Sequence, residues 1–291
     1  MNIAVLGIGF MGLPMARRLC EAGHAVHAWS RSRDKAERLR PFGAQVHGTA
    51  RQAVAQAELV ISLLADGQVV GDVLFSPTTG AAAAMRPGTL VVDMASIKPR
   101  EAREHAARLN ERGLAHLDAP VSGGTVGAEA GTLAIMVGGQ AADVERARPV
   151  LEVLGRVTHV GPHGAGQLAK LANQMIVGIT IGAVAEALLL CEKGGADMAK
   201  VRQAIAGGFA DSRVLQVHGQ RMVERDFAPR GRMAIQLKDM RNALDTAADL
   251  GFEAPIATLL EHLYADGVDH GLSELDQSGL FVELANRNGM Q

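Results

Sequence analysis

Aromatic residues are scarce in this chain of 291 residues: they make up 3% of it, with a single Trp and a single Tyr. Hydrophobic residues nevertheless reach 48%, so the chain is long and apolar enough to bury a substantial core. That core must consist mainly of Ala, Val, Leu, Ile and Met. The length favours one large domain or two of ordinary size.

Cysteine is nearly absent, and Cys20 and Cys191 lie far apart, outside any CxxC spacing. Such a pair argues against a disulfide scaffold and a zinc site, and it favours a reduced, cytoplasmic location. The ten histidines are scattered. Even His24 and His27 have no cysteine or carboxylate beside them, so we expect no metal.

Neither sign of charge dominates, since Lys and Arg total 29 against 31 Asp and Glu. We therefore expect no nucleic acid and no membrane as partner. The apolar N-terminus lacks a basic segment and a cleavage site, so it predicts a strand and turn rather than a signal peptide. The uncharged run at residues 171–185 is shorter than the roughly 20 residues of a membrane span and predicts a buried core helix.

Short β-type runs alternate with helical patterns up to about residue 160. Continuous apolar runs, as in strands buried on both faces of a parallel sheet, occur at residues 3–6, 25–29, 59–64, 90–93 and 115–118. Helical patterns lie at 34–39, 81–85 and 99–112, and residues 132–137 and 157–160 resemble edge strands. Repeated βα units of this kind predict an α/β fold with a doubly wound sheet.

From Gly161-Pro162 onward the pattern is helical. Helices are predicted at about 164–193, 197–206, 212–224, 233–250, 255–265 and 273–287. Gly194-Gly195 supplies a stop for the first of them. The chain is therefore predicted to have an α/β domain at residues 1–162 and an all-α C-terminal domain at residues 163–291, joined by the long helix.

A glycine-rich stretch, "IAVLGIGFMG", contains the first predicted strand and precedes a helical segment. Its GxGxxG spacing is that of Rossmann domains: one glycine permits a tight turn, the next lets the backbone approach a pyrophosphate, and the last allows helix–strand packing. The helix N-terminus then offers N–H groups to the phosphates. An ordinary βα turn is the alternative. The residues predicted to bind the cofactor here are Gly7, Ile8, Gly9, Phe10, Met11 and Gly12.

The end of the second predicted strand indicates which dinucleotide binds. NAD sites usually have Asp or Glu there, hydrogen-bonded to the ribose 2′-hydroxyl. Here the sequence reads Ser30, Arg31, Ser32 and Arg33, and two hydroxyls with two guanidinium groups suit a 2′-phosphate. NADP is therefore the predicted cofactor. The alternative is NAD, with solvated arginines and with Asp34, as N-cap of the next helix, reaching the ribose.

The long predicted helix is apolar except for a polar patch near its start. Lys170, Asn173 and Gln174 share one face, because residues three and four apart are neighbours on a helix. The patch lies just past the predicted domain boundary, where we expect a cleft that holds a small ligand. A lysine whose pKa is lowered by partial burial can donate and accept a proton, and adjacent amides can orient a substrate. The alternative is a lysine that extends to water.

A second candidate substrate contact follows the strand predicted at residues 115–118. Asp118 ends that strand, and Ser122, Gly123 and Gly124 follow in a predicted loop. At the carboxyl end of a parallel strand such a loop faces the cofactor crevice, and its backbone N–H groups can hold a carboxylate. A flexible turn is an equally good interpretation of these residues alone.

Four motifs in this order resemble the β-hydroxyacid dehydrogenase family, also called the 3-hydroxyisobutyrate dehydrogenase family. They are "VLGIGFMGLPMA", "DAPVSGGTVGAEAGTL", "GAGQLAKLANQ" and "LKDMRNALDTA", and the resemblance covers essentially the whole chain. It implies a nicotinamide cofactor, and homodimers or homotetramers formed by the helical domains. It also implies that Lys170 is the catalytic acid/base, that the segment from Ser122 to Gly124 binds a substrate carboxylate, and that Ser96 and Lys238 lie near the cofactor.

The activity implied by this resemblance is the NADP-dependent reduction of a small aldehyde-acid such as tartronate semialdehyde. Alternatives are 3-hydroxyisobutyrate dehydrogenase, a glyoxylate or succinic semialdehyde reductase, and, in another class, a non-catalytic NADP-binding sensor. Lys170 argues against the sensor and against an imine reductase. Two positions depart from the family: Gln174 stands where many members have Asn, and Leu64-Ala65 replaces a usual Leu-Pro beside the cofactor.

Overall fold

The computed structural model describes residues 1–290, which form two compact units that divide between Lys170 and Leu171. The first unit is an α/β domain and the second is all-helical, which confirms the fold class predicted from the sequence. The division falls inside the long helix, beyond residue 162, because hydrogen bonds to the first unit hold the first residues of that helix.

Within the described residues the first unit contains one nine-stranded sheet. Its strands are β1 (Asn2–Leu6), β2 (Ala25–Trp29), β3 (Gln45–Val46), β4 (Leu59–Ser62), β5 (Leu90–Asp93), β6 (Ala115–Asp118), β7 (Val121–Ser122), β8 (Leu133–Gly139) and β9 (Gly155–Gly161). The order β3-β2-β1-β4-β5-β6 is parallel, β8 pairs antiparallel with β6 and β7, and β9 pairs parallel with β8. Every strand predicted from an apolar run is present. The strands β3 and β7 were not predicted, because each has only two residues and forms no apolar run.

Helices cover both faces of this sheet. They are α1 (Gly12–Glu21), α2 (Arg33–Glu37), α3 (Ala50–Val54), α4 (Gly67–Phe75), α5 (Pro99–Asn110), α6 (Gly124–Ala130) and α7 (Ala141–Leu151). Alternate residues of β1 show the two-sided burial, since Ile3 and Val5 pack in one hydrophobic cluster and Ala4 and Leu6 in another. A strand buried on both faces explains the unbroken apolar run in the sequence.

The order in which successive strands are added to the sheet reverses at β1. The chain moves outward from β1 to β2 and β3, then returns to β4 on the opposite side of β1. At such a switch point the loops that leave neighbouring strands diverge, and α/β proteins bind their ligands in the crevice that results. The fold therefore places the ligand site of this unit at the carboxyl ends of its parallel strands.

The second unit is a group of helices. Helix α8 (Ala165–Lys193) begins in the first unit and continues into the second, which contains α9 (Met198–Ile205), α10 (Arg213–Glu224), α11 (Met233–Asp249), α12 (Pro255–Gly267) and α13 (Leu280–Arg287). Its core includes Leu188, Met240, Tyr264 and Phe281. The predicted stop after α8 is confirmed, since Gly195 adopts φ +85° directly after the helix.

Two predicted helices differ from the structure. Residues 81–85 form only a 3-10 turn, Ala81–Ala84, because the segment is too short for a regular α-helix. The helix predicted at 273–287 begins at Leu280, because Asp276 is fully buried ahead of it. The Asp276 carboxylate accepts hydrogen bonds from the Arg221 side chain (2.9 Å) and from the Gly231 amide (3.1 Å), which requires an irregular backbone here.

Helix α8 is, within residues 1–290, the one helix long and apolar enough by length and composition to cross a membrane. Core helices of globular proteins satisfy the same criteria, so the finding by itself carries little weight. In the second unit Ile181, Ala185 and Leu188 of α8 are buried in the hydrophobic core. This burial is the arrangement that the sequence predicts for a core helix.

Candidate active site

The carboxyl ends of five parallel strands meet at one edge of the sheet. The register pairs Leu6 with Trp29 and Ser62, and it pairs Asp93 with Ser62 and Asp118. The cofactor and carboxylate contacts predicted for the first unit all follow these strand ends in the chain. The fold therefore brings segments far apart in sequence to the same edge.

Each glycine of the GxGxxG loop meets a different environment, as the position of an added Cβ atom shows. Gly7 adopts φ +108°, and a Cβ atom there would clash with the backbone oxygen of Leu63. A Cβ atom at Gly12 would clash with the backbone oxygen of Gly7, so this glycine permits the helix to start close to the strand. A Cβ atom at Gly9 meets no protein atom within 4 Å. The protein itself does not require glycine at position 9, and the open space suits a close-approaching ligand.

The N-terminus of α1 faces the same loop. Met11 is its N-cap residue and no side chain caps the first turn, which also lacks an acidic residue. Ile8 is buried in the core, whereas Phe10 is 91% exposed. Uncapped amides with the positive end of the helix dipole suit phosphate groups. Together with the space above Gly9, they fit the pyrophosphate of a dinucleotide.

The segment after β2 carries two exposed arginines in different environments. The Nε of Arg33 lies 3.0 Å from a carboxylate oxygen of Glu37 on the next helical turn. Arg31 forms no hydrogen bond or ion pair with any described residue. Ser30 is half-buried at the strand end, and the N-cap of α2 is Ser32. The alternative role for Asp34 as N-cap is therefore wrong, since it lies inside the first turn.

The loop after β4 departs from the family pattern and is nevertheless well anchored. Leu64 packs against a hydrophobic cluster of the first unit, and Ala65 is exposed. Asp66 is the N-cap of α4, where its carboxylate accepts a hydrogen bond from the Val69 amide at 2.8 Å. This side-chain cap restrains the loop.

A buried carboxylate lies at the end of β5. Oδ1 of Asp93 accepts hydrogen bonds from the Ser62 hydroxyl (2.8 Å) and the Ala95 amide (3.1 Å), whereas Oδ2 has no partner among the described residues. Complete burial raises the pKa of Asp93 to about 7. Ser96, predicted to contact the cofactor, is half-buried in the segment that follows.

A second buried carboxylate, Asp118, ends β6 and anchors the start of α8. Its two oxygens accept hydrogen bonds from the amides of Gly164 (2.8 Å) and Gln167 (2.9 Å). Burial raises the pKa of the Asp118 carboxyl, and these amide bonds oppose the rise. The first turn of the helix that carries Lys170 is thus fixed to the sheet edge.

The segment predicted as a loop after Asp118 is more ordered than expected. Ser122 belongs to the short strand β7, and Gly124 begins α6. Gly123 and Gly124 adopt φ values of +134° and +62°, which are accessible to glycine at little cost. The predicted loop is therefore a defined strand-to-helix turn, because β7 pairs with β8 through Val121 and Ser122.

The polar patch predicted on the long helix lies on α8. Lys170 is half-buried and is the last residue of the first unit, and Asn173 and Gln174 are half-buried in the second. The Gln174 amide donates to Asp239 (2.8 Å) and to Gln236 (3.3 Å). Its own oxygen accepts a hydrogen bond from Asn173 at 2.9 Å. The amide of Gln174 is thus committed to protein partners.

The partners of Gln174 belong to α11. Gln236 and Asp239 are buried, and the Gln236 side chain also donates to the backbone oxygen of Gln174 at 3.0 Å. The ammonium group of Lys238, about a third exposed, lies 3.2 Å from Asp239. Lys238 and Gln174 therefore both contact the buried carboxylate of Asp239.

Sequence reasoning missed three buried polar residues, namely Asp93 and Gln167 in the first unit and Asp239 in the second. A signal for each is present in the sequence. Each of them interrupts an apolar pattern. Asp93 ends an apolar strand, Gln167 lies one turn before a candidate catalytic lysine, and Asp239 is adjacent to Lys238. Residues 1–290 contain no group of three or more His, Cys, Asp or Glu arranged to hold a metal ion.

Two protein-family models match successive parts of the chain. Residues 2–161 match the NAD-binding domain of 6-phosphogluconate dehydrogenase. Residues 164–283 match the NAD-binding domain model of NADP-dependent 3-hydroxyisobutyrate dehydrogenase. The chain is 43% identical to the 2-hydroxy-3-oxopropionate reductase of Escherichia coli strain K12, over 98% of this chain and 97% of the relative.

Solved structures share the fold over nearly the whole chain. A Mycobacterium tuberculosis 3-hydroxyisobutyrate dehydrogenase with L-serine has a TM-score of 0.89 at 36% identity, covering 97% of this chain and 98% of that one. The complex of Psf3 with NADP⁺ and 2-OPP has a TM-score of 0.89 at 26% identity, covering 97% and 99%. With its Rossmann domain and helical domain, this chain belongs to the 3-hydroxyisobutyrate dehydrogenase family of 3-hydroxyacid dehydrogenases, enzymes that use a nicotinamide cofactor.

Proposed function

We propose that this enzyme is an NADP-dependent reductase that interconverts tartronate semialdehyde (2-hydroxy-3-oxopropionate) and the corresponding 3-hydroxy acid. The observation that carries the proposal is the placement of Lys170 on α8, just after a first turn that Asp118 fixes to the sheet edge. The identity of 43% to a 2-hydroxy-3-oxopropionate reductase over 98% of the chain supports this substrate.

The binding of NADP rather than NAD is proposed from the segment after β2. Arg31 is exposed and uncommitted to other described residues, so its guanidinium is available to a 2′-phosphate. No carboxylate stands at the end of β2 to repel that phosphate, because the strand ends in Trp29 and Ser30 follows. The loop Gly7–Gly12 and the N-terminus of α1 would hold the pyrophosphate. When bound, the nicotinamide supplies hydride to the aldehyde carbon.

The substrate carboxylate is proposed to bind at the turn from β7 into α6. The Ser122 hydroxyl and the amides of Gly123 and Gly124 are neutral donors, and two adjacent glycines leave those amides unobstructed. Neutral donors hold a carboxylate without placing another charge beside the reacting carbonyl. This recognition selects acids over simple aldehydes.

Lys170 is proposed as the acid that protonates the carbonyl oxygen, and as the base in the opposite direction. A half-buried ammonium at a fixed point on a helix can remain directed at one oxygen atom. Asn173, one helical turn later, is proposed to bind the substrate hydroxyl or carbonyl. Its Oδ1 accepts no hydrogen bond from the described residues, whereas the Gln174 amide is already bonded on both sides.

The helical unit is proposed to mediate self-association into homodimers or homotetramers. Ile176 (65%), Leu190 (72%) and Leu259 (58%) are exposed large apolar side chains of this unit. These side chains are apolar surface that such an association would remove from water. Sedimentation velocity of the purified enzyme tests this proposal, and a monomer at micromolar concentration would contradict it.

The proposed reaction is tested by following the consumption of NADPH and NADH with a panel of aldehyde-acids. Tartronate semialdehyde, methylmalonate semialdehyde, succinic semialdehyde and glyoxylate distinguish the candidate activities, which share chemistry and differ in the substrate side chain. Lys170→Ala is expected to abolish turnover and Lys193→Ala, on the same helix far from the patch, to leave it unchanged. A wild-type enzyme that binds NADPH but reduces none of these substrates would favour a sensor.

A further inference from the structure

Gln167 is a buried amide on α8, three residues before Lys170, with no exposed surface. Its Nε2 donates to the backbone oxygen of Ala95 at 2.8 Å, and its Oε1 accepts from the backbone amide of Ile97 at 3.0 Å. The two backbone groups flank Ser96. One carboxamide therefore bridges both sides of the segment that carries a predicted cofactor contact.

The bridged segment has no regular secondary structure between β5 and α5. Ala95 and Ile97 are buried while Ser96 between them is half-buried, so the segment presents that one residue outward. Oδ1 of Asp93 holds the Ala95 amide at 3.1 Å. Buried backbone groups outside a helix or sheet need side-chain partners, and Gln167 supplies two of them. The position of Ser96 thus depends on the Gln167 carboxamide.

Gln167 is itself fixed at its backbone. Its amide donates to Asp118 at 2.9 Å, and the same carboxylate accepts from Gly164 at 2.8 Å. A Cβ atom on Gly166 would lie 2.5 Å from the backbone oxygens of Asp118 and Met136, so the start of α8 lies directly against β6 and β8. Lys170 follows one turn later, about 4.5 Å further along the helix axis.

We propose that Gln167 is a positioning residue that couples the Ser96 segment to the helix that carries Lys170. The inference rests on the proposed function, because it assigns Ser96 to the cofactor and Lys170 to proton transfer. Hydride and proton must reach adjacent atoms of one carbonyl, so the two supporting segments have to keep a fixed separation. A displacement of about 1 Å at a reacting centre costs on the order of 100-fold in rate.

A glutamate in place of Gln167 tests the bridge reversibly. A protonated Glu carboxyl has the shape and the donor–acceptor pattern of the amide, with an O–H for the Ala95 oxygen and a C=O for the Ile97 amide. An ionised carboxylate has only acceptors and repels the Ala95 oxygen. Burial raises the pKa of such a glutamate, to about 8–9 in documented cases. In this variant the two hydrogen bonds that bridge Ala95 and Ile97 therefore form or break with pH.

The measurement is the ratio of kcat for Gln167→Glu to that of wild type, between about pH 5.5 and pH 10.5. We expect a ratio near one at low pH and a fall of about 10- to 100-fold as the carboxyl ionises. Gln167→Leu cannot form either bond and is expected to be slow at every pH. Gln140→Glu, an exposed position without a side-chain cap bond, controls for the added charge.

Two readouts separate positioning from a purely structural role. NADPH deuterated at the transferred position is expected to give a larger isotope effect in ionised Gln167→Glu than in wild type, because chemistry becomes slower than product release. The circular dichroism spectrum is expected to change little over the same range. Loss of activity that only follows loss of folded protein, with an unchanged isotope effect, would overturn the inference.

The outcome also distinguishes this inference from the proposed function. A wild-type enzyme inactive on every aldehyde-acid would refute the function itself. An active wild type and an inactive Lys170→Ala, together with a Gln167→Leu variant as active as wild type and a Gln167→Glu variant that follows wild type at all pH values, would refute the coupling alone.

Discussion

Arg31 and Arg33 form a matched pair whose substitution separates two readings of cofactor choice. Both are exposed after β2, but Arg33 is paired with Glu37 at 3.0 Å, whereas Arg31 has no partner among the described residues. An arginine already bonded to a carboxylate offers less to a phosphate. We therefore expect Arg31→Ala to impair the use of NADPH much more than Arg33→Ala does.

The magnitude follows from the bonds that would be lost. A hydrogen bond to a charged group contributes about 1.5–3 kcal/mol, and 1.4 kcal/mol corresponds to about a tenfold change. Arg31→Ala should therefore lower kcat/KM for NADPH by roughly 10- to 100-fold. NADH has no 2′-phosphate, so its kcat/KM should stay nearly constant, and the preference for NADPH should fall by the same factor.

The assay is steady-state reduction of an aldehyde-acid with each cofactor, repeated at low and high ionic strength. The effect of Arg31→Ala should shrink as salt rises, because salt screens exposed charges. Equal losses for NADPH and NADH, or an equal loss in Arg33→Ala, would refute the assignment of Arg31 to the 2′-phosphate. A wild-type enzyme that prefers NADH would refute the NADP proposal as a whole.

Three further predictions concern buried or close-packed positions. Gly12→Ala should lower stability by on the order of 2–4 kcal/mol in chemical denaturation, because its Cβ meets a backbone oxygen, whereas Gly9→Ala should retain stability but weaken NADPH binding in fluorescence titration. Similar stability of the two variants would contradict this. The pKa of Asp93 is raised to about 7 from an ordinary value of 3.8, so the folded state binds the proton more tightly. The stabilisation contributed by Asp93 should therefore be complete below about pH 3.8 and be lost as pH rises through about 7, and Asp93→Asn should remove that loss; parallel pH profiles of the two proteins would refute it. Asn173→Ala should raise KM for the aldehyde-acid by about tenfold with little change in Tm. Gln174→Ala should instead lower Tm, because it leaves buried polar groups on α11 unpaired. The reverse pattern would make Gln174 the substrate contact.

The strands and most helices could be predicted because their signals are local. The runs at residues 25–29, 90–93 and 115–118 match β2, β5 and β6 to the residue. The first part of the helix predicted at 273–287 was wrong, because a local apolar pattern does not reveal the burial of Asp276. Its burial depends on Arg221 and Gly231, far away in the chain, and those partners replace helix with an irregular segment.

The site divides in the same way. The glycine loop and the patch of Lys170, Asn173 and Gln174 were visible because spacing on a turn or a helix is a property of neighbouring residues. Their partners were not. Gln174 meets Asp239 across 65 positions of sequence, a contact that only the packing of α8 on α11 creates. That contact is what singles out Asn173 as the proposed substrate-binding amide.

The sequence by itself determined the alternation of buried strands and helices, the phosphate loop and the position of the lysine, because these depend on residues close along the chain. Only the tertiary structure decided which of the two arginines after β2 is uncommitted, which amide is already bonded, and that Gln167 bridges the two sides of Ser96. Hydrogen bonds to buried groups form where the folded backbone brings donors and acceptors within about 3 Å, and no pattern along the sequence encodes that distance.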